Sequence, residues 1–181
     1  MLVALAEIGD KTQLLALVLA ARYRRPWTIF AGILVATLTN HAAAAWLGAL
    51  VAGLLGDDAL HGLLAIGFAA MAAWTLVPDK LSPEDAAAKG HGGVFLTAAS
   101  AFFIAEMGDK TQIASVALAA RYLEIVPVVA GTTIGMMLAN APVLWFGDRM
   151  ASRLPLRAIR YGAAALFALL AIVTAANALG F

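Results

Sequence analysis

The chain carries the same polar word twice, AEIGDKTQ at 6–13 and AEMGDKTQ at 105–112. Each places two acids and a lysine inside an otherwise apolar stretch: Glu7, Asp10 and Lys11, then Glu106, Asp109 and Lys110. On a helix, residues three and four apart share a face, so Glu7 is expected to project with Asp10, and Glu106 with Asp109. Gln13 and Gln112 continue the two sets. Two such helices brought together would converge four carboxylates and two amides, all hard oxygen donors suited to calcium, manganese or magnesium. Zinc and copper would call for imidazole or thiolate. The chain has no cysteine, and of its three histidines only His41 lies within an apolar span, with His61 and His91 at loops. Gly9 and Gly108 would let the backbones approach closely, or let the helix open and offer a carbonyl oxygen.

Four acids and two lysines leave such a site formally −2, which one divalent cation or two protons would neutralise. Carboxylates crowded into a low dielectric oppose one another's ionisation, so protons take the place of a departing metal. The chemistry that follows is divalent cation–proton exchange, near one metal per two protons. A plainer reading uses the favoured order of Glu at i and Lys at i+4: Lys11 would offset Glu7, and Lys110 would offset Glu106, as buried ion pairs that only orient the helices. That reading leaves Asp10 and Asp109 without a role, and charges inside membrane spans are costly and mostly functional. Thr12 and Thr111 offer either a hydroxyl to the site or a bond to a carbonyl one turn back. Asn40, His41 and Asn140 are candidates for an outer ring of polar support or for interhelical bonds. Thr37, Thr39, Thr132 and Thr133 read as helix-packing residues, and Asp57–Asp58 as a solvated loop.

The elements that hold these residues follow from composition. Of 181 residues, 63% are hydrophobic and 13% charged, and the mean hydropathy is +0.90. A soluble domain is about twice as charged, so the class is an all-α integral membrane protein. A net charge of +1, with its arginines in loops, excludes a nucleic-acid-binding face. The start of the chain does not read as a signal peptide, because Glu7 and Asp10 interrupt the apolar core such a peptide needs. A bilayer span takes about 20 apolar residues, and six segments qualify: 1–21, 27–54, 60–78, 94–120, 124–147 and 158–180.

Basic loop residues set the orientation. Arg22, Arg24, Arg25, Lys80, Lys89, Arg149, Arg153, Arg157 and Arg160 fall on one side and Arg121 alone on the other, so both termini are expected outside the cytoplasm. The two polar words are 99 residues apart. The same offset carries Ala-Ala-Arg-Tyr at 20–23 onto 119–122, Ala31-Gly32 onto Ala130-Gly131, and Trp46-x-Gly48 onto Trp145-x-Gly147. One register kept over this length indicates a duplication. Each half has three spans, so the second copy enters the membrane inverted, with a site at the repeat interface. The domains expected are repeat 1 at 1–78, a cytoplasmic linker at 79–93 and repeat 2 at 94–181. Only six residues precede Glu7 where twelve apolar residues precede Glu106, which leaves the first helix about 9 Å shorter than its twin. No nucleophile–base arrangement, phosphate loop or zinc-protease motif appears, so a transporter is expected rather than an enzyme, with no cofactor.

At Glu7-Ile8-Gly9-Asp10-Lys11-Thr12 and Glu106-Met107-Gly108-Asp109-Lys110-Thr111 the chain resembles the Gdt-type calcium/manganese–proton antiporters. The resemblance covers essentially the whole chain. It implies a six-helix inverted-repeat fold, export of manganese or calcium across a bacterial plasma membrane, and protons as counter-ion. It also implies that Glu7, Asp10, Glu106 and Asp109 bind the cation, helped by the motif threonines. The partners are then the lipid bilayer, the divalent cation and protons; a homo-oligomer is compatible with this plan but not required by it. Two further readings stay open. The same carboxylates could hold the ammonium of an amino acid in a small-molecule exporter, or the protein could be a passive cation channel, which commonly builds rings of like charge through oligomers.

Overall fold

The computed structural model describes residues 2–78, 92–147 and 155–179. Expectations that fall on 79–91 and 148–154, including the linker, Lys80, Lys89, His91, Arg149 and Arg153, lie outside the described residues. Among the described residues the chain is entirely helical, with eight helices in order: α1 (Leu2–Glu7), α2 (Lys11–Tyr23), α3 (Pro26–Leu54), α4 (Asp57–Thr75), α5 (Val94–Glu106), α6 (Lys110–Tyr122), α7 (Ile125–Phe146) and α8 (Leu156–Ala178).

Four of these helices, α3, α4, α7 and α8, are long and apolar enough to cross a bilayer. They correspond to four of the six spans expected from sequence. The other two, 1–21 and 94–120, do not run as single helices. Each breaks at its polar word, into α1 and α2 and into α5 and α6. The cause is local. Gly9 and Gly108 adopt φ of +83° and +72°, a region that costs an L-residue energy but is open to glycine. After each glycine an aspartate sits in extended backbone as the N-cap of the next helix, with φ −80° at Asp10 and −79° at Asp109.

The 99-residue register persists in the backbone. α1 and α5 end at Glu7 and Glu106, and α2 and α6 begin at Lys11 and Lys110. The next two pairs of helices begin at Pro26 and Ile125, then at Asp57 and Leu156. Even the left-handed C-caps match: Arg24 has φ 51° and donates its N–H to Ala20, while Leu123 has φ 56° and donates to Ala119. One expectation is corrected here. Asp57 and Asp58 occupy the first turn of α4 rather than a loop, where negative charge complements the helix dipole.

The long helix of each half packs on the broken helix of the other. α3 lies against α5 and α6, α7 against α1 and α2, and α4 pairs with α8. Small residues set the approach. A Cβ on Gly48 would fall 2.2 Å from the Val116 carbonyl oxygen, and one on Gly32 would fall 2.8 Å from the Ala98 Cβ. Leu15, Leu19, Ile29, Ile33 and Phe102 fill one core beneath these contacts, while Phe68, Met71 and Phe167 fill another between α4, α6 and α8. The exterior is apolar too, with Trp27, Ile66, Val126, Ile134 and Ile172 all exposed. A surface of that kind belongs in lipid: the chain is an integral membrane protein.

Candidate cation site

The two helix breaks meet inside the molecule. Ligand-type oxygens of Glu7, Asp10 and Asp109 lie within 4.8 Å of one another, all three side chains buried. The cluster therefore takes two acids from the first half and one from the second. Asp10 and Asp109 reach it because they cap the second helix of each broken pair, and Glu7 because it ends the first. This corrects the expectation of a continuous helical face. Glu7 and Asp10 converge through a turn in which the Asp10 N–H bonds the Glu7 carbonyl at 3.0 Å, and the same turn joins Asp109 to Glu106 at 3.0 Å. The positive ends of the α2 and α6 dipoles thus adjoin the acids.

Lys11 Nζ lies 3.3 Å from Asp109 Oδ1, so the motif lysine of one half pairs with the motif aspartate of the other. Lys110 is buried, donates to the Val77 carbonyl at 3.3 Å and lies over the Trp74 ring at 5.8 Å. Thr12 Oγ1 donates to Glu7 Oε2 at 2.6 Å, and its own N–H bonds Asp10 Oδ2 at 3.3 Å. The second oxygen of Glu7, Oε1, is buried with no hydrogen-bond donor among the described residues. The Thr111 hydroxyl lies near Glu7 without forming a well-shaped bond.

The two glutamines do not project into the cluster as donors of the kind expected. Each folds back on its own break, Gln13 Oε1 accepting from Gly9 N–H at 2.9 Å and Gln112 Oε1 from Gly108 N–H at 2.6 Å. Opening a helix exposes such an N–H, and an unpaired one would be costly away from water. Gln13 also donates Nε2 to the Ala139 carbonyl of α7 at 2.9 Å.

Glu106 neighbours the three-acid cluster without being one of the acids whose oxygens lie within 4.8 Å of one another, and its own oxygens are taken by α3. Thr37 Oγ1 donates to its Oε1 at 2.6 Å and Asn40 Nδ2 to its Oε2 at 3.1 Å. Thr37 had the pattern of a packing residue, and only its position one turn from Asn40 could have signalled otherwise. Asn140 turns to its own helix, donating Nδ2 to the Met136 carbonyl at 3.1 Å. His41 is buried in α3 with neither ring nitrogen partnered among the described residues.

A helical membrane protein whose two halves meet at buried acids across broken helices has the form of an ion transporter. A family model, divalent cation/proton antiporter GDT1, matches residues 1–83 and 94–180, and the chain belongs to that family. It is accordingly a divalent cation–proton antiporter and not an enzyme. A "Putative manganese exporter" from Vibrio cholerae serotype O1 is 52% identical over 174 residues, spanning 96% of this chain and 86% of that protein. The GDT1-like protein sll0615 from Synechocystis is 27% identical over 96% of this chain and 93% of its own length. The GDT1-like protein 3 from Arabidopsis thaliana is 24% identical over 87% of this chain and 62% of its own length. No solved structure matches the chain significantly.

Proposed function

We propose that the protein exports manganese from the bacterial cytoplasm in exchange for protons, with Glu7, Asp10 and Asp109 as cargo carboxylates and Glu106 as the fourth acid of the same machine. The observation that carries this reading is the buried cluster of three carboxylates drawn from both halves. Two inverted repeats of three spans each, at 1–78 and 94–181, would place that cluster between them, with each broken helix counted as one span and both termini outside the cytoplasm. Manganese is preferred to calcium on the 52% identity to a protein named for manganese export.

The exchange follows from charge. Three carboxylates and the Lys11 ammonium sum to −2, which one divalent cation balances. As the ion arrives, it replaces the ammonium at Asp109. As it leaves, protons enter, because three acids held this close in a low dielectric cannot all stay ionised without a counter-charge. Two protons per metal would restore the balance.

The test is metal-driven proton movement in proteoliposomes loaded with manganese, calcium or magnesium in turn. Proton flux that follows the manganese gradient, and disappears in Glu7→Gln, supports the proposal. Metal flux indifferent to a proton gradient would make the cluster part of a channel, and flux with calcium alone would reassign the cargo.

A further inference from the structure

The structure assigns Thr37 and Asn40 a positioning role: from α3 they hold Glu106 away from the three-carboxylate cluster, so that the two halves of the site are unequal, with three acids on the cation and the fourth in reserve. This rests on the reading of the twin motifs as the cargo site.

Three hydrogen bonds make the latch. Thr37 Oγ1 takes Glu106 Oε1 at 2.6 Å and Asn40 Nδ2 takes Oε2 at 3.1 Å, while the same Nδ2 reaches the Phe103 carbonyl at 3.0 Å. That carbonyl needs a donor because of the break. The Met107 N–H, which a continuous helix would deliver to Phe103, bonds Ile104 instead at 3.2 Å. Asn40 therefore closes the end of α5 and grips its last side chain together. All the groups involved are buried: Thr37, Asn40 and Glu106 are each at most 2% exposed. Hydrogen bonds to a carboxyl group count for more in such a low dielectric than they would in water.

The first half has no such arrangement. Glu7 takes Thr12 of its own polar word and has Thr111 of the other beside it, and no donor from α7 is seen to reach it among the described residues. The difference is written in the sequence, since the 99-residue offset sets Met136 of α7 against Thr37 and Ala139 against Asn40. Neither residue has a side-chain donor that could reach a carboxylate. At the two positions that match the latch, α7 therefore offers Glu7 no counterpart, and its Asn140 turns to the Met136 carbonyl instead.

Withholding one acid has a use. A fourth carboxylate beside Glu7, Asp10 and Asp109 would add one more anionic donor to the three already there. It would overmatch a single divalent cation and hold it too firmly to release. Conduction through any site requires binding strong enough to load and weak enough to leave. The latch keeps the hold in that range and releases Glu106 only when α3 moves on α5.

The experiment compares Thr37→Val with the double variant Thr37→Val/Asn40→Leu, using manganese itself as probe. Binding is read in detergent and exchange in proteoliposomes. With Glu106 unlatched, both the half-saturating manganese and the maximal rate should fall, by about tenfold in the double variant and about threefold in Thr37→Val, as expected when donors to a charged group are lost. Thr37→Ser, which keeps the hydroxyl, should match the unmodified chain. In a Glu106→Gln background the same changes should add nothing. A rise in half-saturating manganese at unchanged maximal rate would show Glu106 to be a ligand where it stands and would overturn the proposal. So would unchanged kinetics in variants of unchanged melting temperature. If the double variant does not fold, Thr37→Val, which exchanges a hydroxyl for a methyl, decides the matter alone. Glu7→Gln separates the two readings: if it leaves manganese binding intact the cargo site itself is wrong, and if it abolishes binding while the α3 variants do nothing, only the latch is wrong.

Discussion

Lys11 Nζ stands 3.3 Å from Asp109 Oδ1, so the ammonium of one polar word neutralises an acid of the other, 98 positions along the chain. The pair ties α2 to the start of α6 at the point where the halves meet. It also places a built-in cation beside the buried carboxylates of the cluster.

Lys11→Gln should therefore destabilise the protein without metal and be corrected by metal. Asp109 is buried and would lose a counter-charge, at a cost of about 2–3 kcal/mol, below the full penalty of breaking a buried pair because Lys11 retains 23% exposure. Manganese at about 100 times its dissociation constant would return about 2.7 kcal/mol. Melting in detergent with and without manganese checks this: the gap between the variant and the unmodified chain should narrow as manganese is added.

Removing a cluster acid should abolish cargo binding without unfolding the protein. Asp10→Asn and Glu7→Gln keep size and hydrogen-bonding shape, but each removes one of three anionic donors. A loss of at least about 100-fold in manganese affinity is expected, since even an outer partner of a metal ligand is worth about 10–100-fold. Isothermal titration of the purified variants measures it, and a loss under threefold would remove that residue from the set.

The break at Gly108 can be tested without steric interference. Its φ is +72°, and a Cβ there would meet nothing within 4 Å. Gly108→Ala should thus report the backbone cost alone, about 1–2 kcal/mol, and Gly108→Asn less, since asparagine tolerates this region better. Exchange rate and melting temperature should both rank Gly, Asn, Ala in falling order.

Close helix approach predicts a sharper effect at Gly48. A Cβ there would collide with the Val116 carbonyl oxygen at 2.2 Å, whereas Gly67 of α4 has open space. Gly48→Ala should force α3 from α6 and cost about 1–3 kcal/mol, while Gly67→Ala should be neutral or slightly stabilising. Thermal unfolding of the two variants side by side makes the comparison.

Much of this was legible in residue order because it depends on local chemistry. Runs of about 20 apolar residues mark α3, α4, α7 and α8 within a few positions, and the repeated word marks Glu7, Asp10, Glu106 and Asp109 by type and offset. Gly9 and Gly108 signalled that the helix could open. What the pattern could not choose was whether it does. A three-residue spacing read as one helical face is equally compatible with a turn, and only the positive φ at glycine with the aspartate cap decides between them. The Lys11–Asp109 ion pair lay out of reach for a similar reason. The i, i+4 rule ranks a lysine against neighbours on its own helix, and the distant Asp109 enters only when the halves pack.

By itself the sequence determined the membrane class, the shared register of the two halves and the four acids of the repeated word, since these rest on hydropathy, on offset and on residue type. Tertiary structure alone decided which acids meet. Glu7, Asp10 and Asp109 come together, and Glu106 turns to Thr37 and Asn40. The physical reason is that a buried carboxylate goes to whatever donor the packing supplies. α3 brings a hydroxyl and an amide to one glutamate, while α7 brings neither to the other, and nothing within either repeated word distinguishes the two.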